Sequence, residues 1–112
     1  MINRGEIWLA NLNPSKGTEP GKTRPVLVIQ TQALLNVGHS STLIIPLTTR
    51  LIDDMFPLRV RIMKQEKLME NSDALIDQVR AIDNKRLIEG PLTQLSNKEM
   101  ENISNAIAEL VL

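Results

Sequence analysis

Few side chains in these 112 residues are equipped for chemistry, and most of them stand where an apolar run begins or ends. Arg24 follows a polar stretch punctuated by Gly and Pro, Gly17 to Thr23, and precedes the run Pro25-Val26-Leu27-Val28-Ile29. Thr48 and Thr49 close a second apolar run, and Asp77, Gln78 and Arg80 interrupt a third. Guanidinium and hydroxyl donors suit a phosphate oxyanion or another polar ligand. Each residue also has a structural reading: Arg24 as a surface arginine at a strand start, Thr48 satisfying a turn, Asp77 pairing with Arg80, Gln78 bonding backbone. Spacing alone does not choose between these readings.

Other chemistries find little to work with. There is no cysteine, so disulfides and thiolate metal sites do not arise. His39 is the only histidine, in a Gly/Ser-rich loop with no second soft ligand nearby, and reads as a solvated loop residue. Asp53-Asp54 reads as a solvated loop pair, and with Asp73 and Asp77 could offer at most weak Mg²⁺ contacts. No glycine-rich phosphate loop or nucleophile elbow is present, and no cofactor or metal is expected. Trp8 and Phe56 are the only aromatics, too few for a base-stacking platform. Net charge is zero, yet residues 1–50 hold five bases against two acids. An anionic ligand must therefore be gripped locally rather than by bulk charge. The N-terminus has no signal-like apolar segment and no run reaches membrane-spanning length, so the expectation is a cytoplasmic protein without membrane contact. Length suits one domain, residues 1–112.

The elements that must position these groups are short. Glu6 to Leu12 reads as a covered strand, with Ile7 and Leu9 on one face and Trp8 and Ala10 on the other. Asn13 to Thr23 is loop, and the β-branched run after Arg24 is a buried strand with Pro25 at its tolerated first position. Gln32 to Asn36 suits one helical turn, and Thr42 to Leu47 a third strand, with Pro46 marking a bulge or margin. Pro57 to Ile62 alternates, with Leu58, Val60 and Ile62 inward and Arg59 and Arg61 outward. Lys64 to Ser72 is a hairpin connection, Ala74 to Ile82 a fifth strand, and Asp83 to Leu87 a turn or 3₁₀ piece. Ser96-Asn97-Lys98-Glu99 is a capping box, followed by Met100, Ile103, Ile107, Leu110 and Val111 on one helix face. Five or six short strands closed by one helix imply a mainly β fold, a small antiparallel barrel or half-barrel.

The ordered set R-G-E-I-W (4–8), L-N-P (12–14), G-T-E (17–19), T-R-P-V-L-V-I (23–29), I-P-L-T (45–48), D-Q-V-R-A-I-D (77–83) and R-L (86–87) resembles the MazF/PemK family of toxin endoribonucleases. Any one motif is weak; the ordered set spans nearly the whole chain and is highly specific. The resemblance implies a small PemK/CcdB-like, SH3-type antiparallel β-barrel with a C-terminal helix, assembled as a homodimer. It implies metal-independent, sequence-specific cleavage of single-stranded mRNA to 2′,3′-cyclic phosphate and 5′-OH ends, neutralised by a cognate MazE-like antitoxin.

Carried over by position, the family's catalytic pair is Arg24 and Thr48. Arginine stays protonated and is a poor base, which leaves Glu19 or Asp77 to take the 2′-OH proton. RNA contacts are implied at Asn13, Lys16, Thr18, Lys22, Gln78 and Arg80. Some members have His where this chain has Thr18 and Arg where it has Leu75, so their variant mechanism does not transfer. The alternative is a non-catalytic, CcdB-like gyrase poison, a class that relies on a C-terminal aromatic tip; this chain ends Glu109-Leu110-Val111-Leu112.

Overall fold

The computed structural model describes residues 1–14, 16–19 and 21–112. Among these residues seven strands, β1 (Glu6–Asn11), β2 (Thr23–Val28), β3 (Ser41–Thr48), β4 (Arg59–Ile62), β5 (Ser72–Leu75), β6 (Arg80–Asp83) and β7 (Leu87–Gln94), form one antiparallel sheet. A single turn, α1 (Gln32–Asn36), follows β2, and α2 (Asn97–Val111) ends the chain. The strand order is β4-β5-β3-β2-β1-β7, with β6 also paired to β3.

Strands β1, β2 and β3 show why the apolar runs look continuous in sequence. Alternate residues face two different cores. Ile7, Leu27, Ile45 and Leu47 meet Met100, Ile103 and Ala106 of α2 on one face. Ala10, Val26, Val28, Ile44 and Ile82 form a second cluster on the other, with Trp8 packed against it. Helix α2 starts on the expected capping box: the Ser96 hydroxyl accepts from Glu99 N, and Glu99 Oε1 accepts from Ser96 N.

Strand β3 changes partners along its length. Ser41–Ile44 pair with β6, whereas Leu47 and Thr48 pair with β5. Pro46 lies inside the strand, opposite Val26 of β2, at the point where one outer partner gives way to the other. A missing N–H is tolerated there because no ladder partner stands on that side.

Four expectations need correction. The stretch Ala74–Ile82 is not one strand: a 3₁₀ turn at Ile76–Gln78 divides β5 from β6. Strand β7 is not among the expected strands, because Gly90-Pro91, a break by its residue types, lies within it. Gly90 backs onto Trp8, and a Cβ there would come within 2.5 Å of the indole, so the sheet can pass the ring only at a glycine. The sheet does not close into a barrel; among the described residues β4 and β7 remain its ends. The β4–β5 connection does reach across, Lys67 N–H donating to Leu92 O of β7 at 2.9 Å. Finally, the apolar face of α2 ends early: Met100 and Ile103 are buried, but Leu110 and Val111 are 37 % and 69 % exposed.

Candidate active site

Arg24 and Thr48 meet because their strands pair. The β2–β3 register sets Val26 against Pro46; carried two residues further it brings Arg24 beside Thr48, on one face of the sheet. Both line an open cleft of about 550 Å³ with Lys22, Thr23, Pro25, Leu47, Thr49, Arg50 and Ser72. The half-buried Arg24 side chain is aimed by backbone: Nε donates to Gly21 O at 3.0 Å and Nη1 to Leu47 O at 3.3 Å. Among the described residues no carboxylate pairs with it. Burial pulls the guanidinium down from its ordinary very high value, the direction expected for a cation taken from water without a counter-charge. Thr48 Oγ1 accepts from Arg50 N at 3.2 Å, a local turn bond. With its oxygen so engaged, the hydroxyl proton remains for donation.

The loop entering this cleft is tied at its base. Leu12 N–H donates to Lys22 O at 2.8 Å, and Asn13 Oδ1 accepts from Lys22 N at 2.7 Å. Lys22 takes a left-handed conformation, φ 66°, uncommon for a residue with a side chain. Arg86 grips the other side, its Nη1 donating to Asn11 O and Asn13 O at 3.1 and 2.6 Å. Asn13 therefore has a clear structural task, and Arg86, present in the sequence reading only as part of a motif, is a clamp.

The remaining sequence-derived positions separate. Thr18, Asp77 and Gln78 line a second, smaller cleft of about 280 Å³ with Met55, Leu58, Arg59 and Leu75. Asp77 does not pair with Arg80. Lys16 and Glu19 are exposed, joined by a turn bond from Glu19 N to Lys16 O, and line neither cleft. Arg80 stands opposite Ile44 on β3, on the same sheet face as Thr48 and four residues from it, about 13 Å along the strand. Its Nη1 is buried without an acceptor among the described residues. His39 is exposed.

A third cleft, of about 530 Å³, holds none of the expected site residues. Arg59 and Arg61 of β4 and Asp53 of the preceding loop converge there on Asp73 of β5. Two arginines spaced i, i+2 on one strand, with an acid on the next, are the signal that could have shown it. Loss of solvent pushes the Asp73 carboxyl up, but bonds from Arg61, the Ile52 amide and Arg59 outweigh that and hold it below the usual carboxylate range. Among the described residues no group of three or more His, Cys, Asp or Glu is placed to hold a metal ion.

Residues 3–111 match a family model described as PemK-like, MazF-like toxin of type II toxin–antitoxin system. The chain is 39 % identical over 109 residues to Endoribonuclease MazF of Staphylococcus saprophyticus, covering 96 % of this chain and 88 % of that protein. In structure it is similar to MazF from Deinococcus radiodurans, with a TM-score of 0.80 and 21 % identity over 98 % of this chain and 96 % of that one. A MazE–MazF structure from the same organism aligns at a TM-score of 0.75 and 20 % identity, over 98 % and 95 % of the two chains. At such identities the solved structures speak for the fold. The family model spans nearly the whole sequence, and the chain therefore belongs to the PemK/MazF family of type II toxin–antitoxin toxins.

Proposed function

We propose that this protein is an endoribonuclease toxin that cuts single-stranded mRNA at a short motif without a metal, leaving 2′,3′-cyclic phosphate and 5′-OH ends. The observation that carries the reading is the Arg24–Thr48 cleft: a guanidinium without a carboxylate partner among the described residues and a hydroxyl on the adjoining strand, lining one cleft. RNA supplies its own nucleophile, because the ribose 2′-OH can attack the adjacent phosphorus. The protein then needs only to position the chain, accept a proton and stabilise the developing charge. Arg24 neutralises the phosphorane and Thr48 donates to a non-bridging oxygen.

Among the described residues the cleft lining contains no carboxylate. Glu19 belongs to the loop whose base holds Lys22 at the cleft, so that loop is the element able to deliver a base; Asp77 belongs to the neighbouring cleft. Lys22 at the cleft and Arg80 on the same sheet face are the cations assigned to the RNA backbone, with Thr18 and Gln78 in the neighbouring cleft and Lys16 on the exposed loop. The whole chain acts as one domain in the cytoplasm, where its substrate is. Exposed Val37, Leu43, Val79 and Ile88 favour a second copy as partner, giving a homodimer. A MazE-like antitoxin with an acidic segment would compete for the cationic cleft. The gyrase-poison alternative finds less support, since the curated relative is named an endoribonuclease.

The test is a long single-stranded RNA incubated with purified protein and EDTA, wild type beside Arg24→Ala. Cuts at one short motif with cyclic-phosphate ends, lost in the variant, are the expected result. Intact RNA with a folded wild-type protein would sink the proposal.

A further inference from the structure

Asp73 is a carboxylate with 1 % of its surface exposed. The β3–β5 ladder sets it directly opposite Thr48, and the β4–β5 ladder opposite Arg61. Its Oδ1 accepts from Arg61 Nε at 2.5 Å; its Oδ2 accepts from Arg59 Nη1 at 3.1 Å and from Ile52 N at 2.9 Å. These partners lead away from the ladder. Arg59 Nη1 also donates to Arg50 O at 2.9 Å, and Arg61 Nη2 reaches Asp53 at 2.7 Å. One buried acid thus fixes segment 50–53, the chain that leaves Thr48, directly at Ile52 and through its arginines at Arg50 and Asp53. The last link is the bond from Arg50 N to Thr48 Oγ1.

We infer that Asp73 is a positioning residue for Thr48: through Arg59 and the Ile52 amide it sets the Arg50 backbone, whose N–H orients the Thr48 hydroxyl toward the cleft. Asp73 itself touches no substrate. The inference rests on the reading of Thr48 as a donor to the reacting phosphate. A purely stabilising role explains the arrangement poorly, because a buried ion pair is often no more stabilising than well-packed apolar residues of similar volume. What an apolar group cannot do is hold Ile52 N and, by way of Arg59, Arg50 O.

The experiment is a double-mutant cycle between Asp73→Asn and Thr48→Val, with cleavage of a fluorogenic RNA oligonucleotide measured in EDTA and folding checked by thermal melting. Asp73→Asn should lower kcat about tenfold and leave KM within about twofold. In the Thr48→Val background the same change should cost less than about twofold, because the group it positions is gone. An equal loss in both backgrounds, or an undiminished kcat in folded Asp73→Asn, overturns the inference while leaving the endoribonuclease reading standing. Wild-type protein that leaves the RNA intact overturns both. Should Asp73→Asn fail to fold, Arg59→Met, which removes the one nitrogen bonded to both Asp73 and Arg50 O, decides the matter by the same cycle.

Discussion

Two clefts of nearly equal volume, about 550 and 530 Å³, are both lined by arginine, yet they are electrostatic opposites. Arg24 is steered only by two carbonyls and meets no carboxylate among the described residues, so its charge is available to a ligand. Arg59 and Arg61 are committed to Asp73 and Asp53. The lesson is that a count of basic residues says little about anion binding; what matters is which guanidinium lacks a partner of its own.

The sharpest way to break this contrast is at its uncommitted end. Arg24→Ala should lower kcat/KM by about 10²–10³, or roughly 3–4 kcal/mol, the scale of losing one preorganised charge-stabilising donor. Arg24→Lys should recover only a small part, because an ammonium lacks the planar fork. If Arg59→Ala, folded and assayed alongside, lost as much, the two clefts would not differ in the way described.

At the committed end the expected effect is on stability. Asp73→Ala takes from the Ile52 amide its acceptor and from Arg59 and Arg61 their buried one, and should cost about 2–3 kcal/mol in denaturant unfolding. The folded carboxyl lies below its ordinary value of 3.8. Its contribution is therefore complete above that value and fades as pH falls through the lower, folded one. Stability measured against pH should show a shallower acid loss in Asp73→Asn than in wild type; identical acid limbs would contradict the assignment.

Two smaller effects sharpen the comparison. Ser96→Ala removes the α2 cap, a residue that lines neither cleft, and should cost about 1 kcal/mol of stability with cleavage unchanged in the folded protein. Lys22→Ala should weaken RNA binding a few-fold and lower the slope of log affinity against log salt by about 1. A larger loss at Lys22 than at Arg24 would move the chemistry to the loop.

What was legible in the sequence was what is local. The junction at Arg24, the α1 turn, the 3₁₀ turn near Asn84 and the Ser96–Glu99 box depend on residues a few positions apart. Strand β7 was hidden because Gly90-Pro91 looks like a break, and its reason, the indole of Trp8, lies on another strand. The β5–β6 division was hidden because the apolar pattern runs on through Ile76 and Val79 while the backbone turns. The alternation of Arg59 and Arg61 gave their shared face correctly, but only the β4–β5 register shows that a buried acid waits there. The site was legible in the same uneven way. Arg24 and Thr48 do share a cleft, whereas Asp77, Gln78 and Thr18, from the same motif set, lie in another.

The clamp at the loop base also has a consequence for the order in which the chain is made. Synthesis runs from the N-terminus, and the groups that line or brace the cleft arrive at widely separated times: Arg24, then Thr48, and only at residue 86 the guanidinium that fastens Asn11 and Asn13. A nascent chain halted at residue 85 already carries both residues proposed to do the chemistry, but nothing from later in the sequence to close the loop beneath them. In such a chain the loop base rests on the Leu12–Lys22 and Asn13–Lys22 bonds, without the Arg86 clamp.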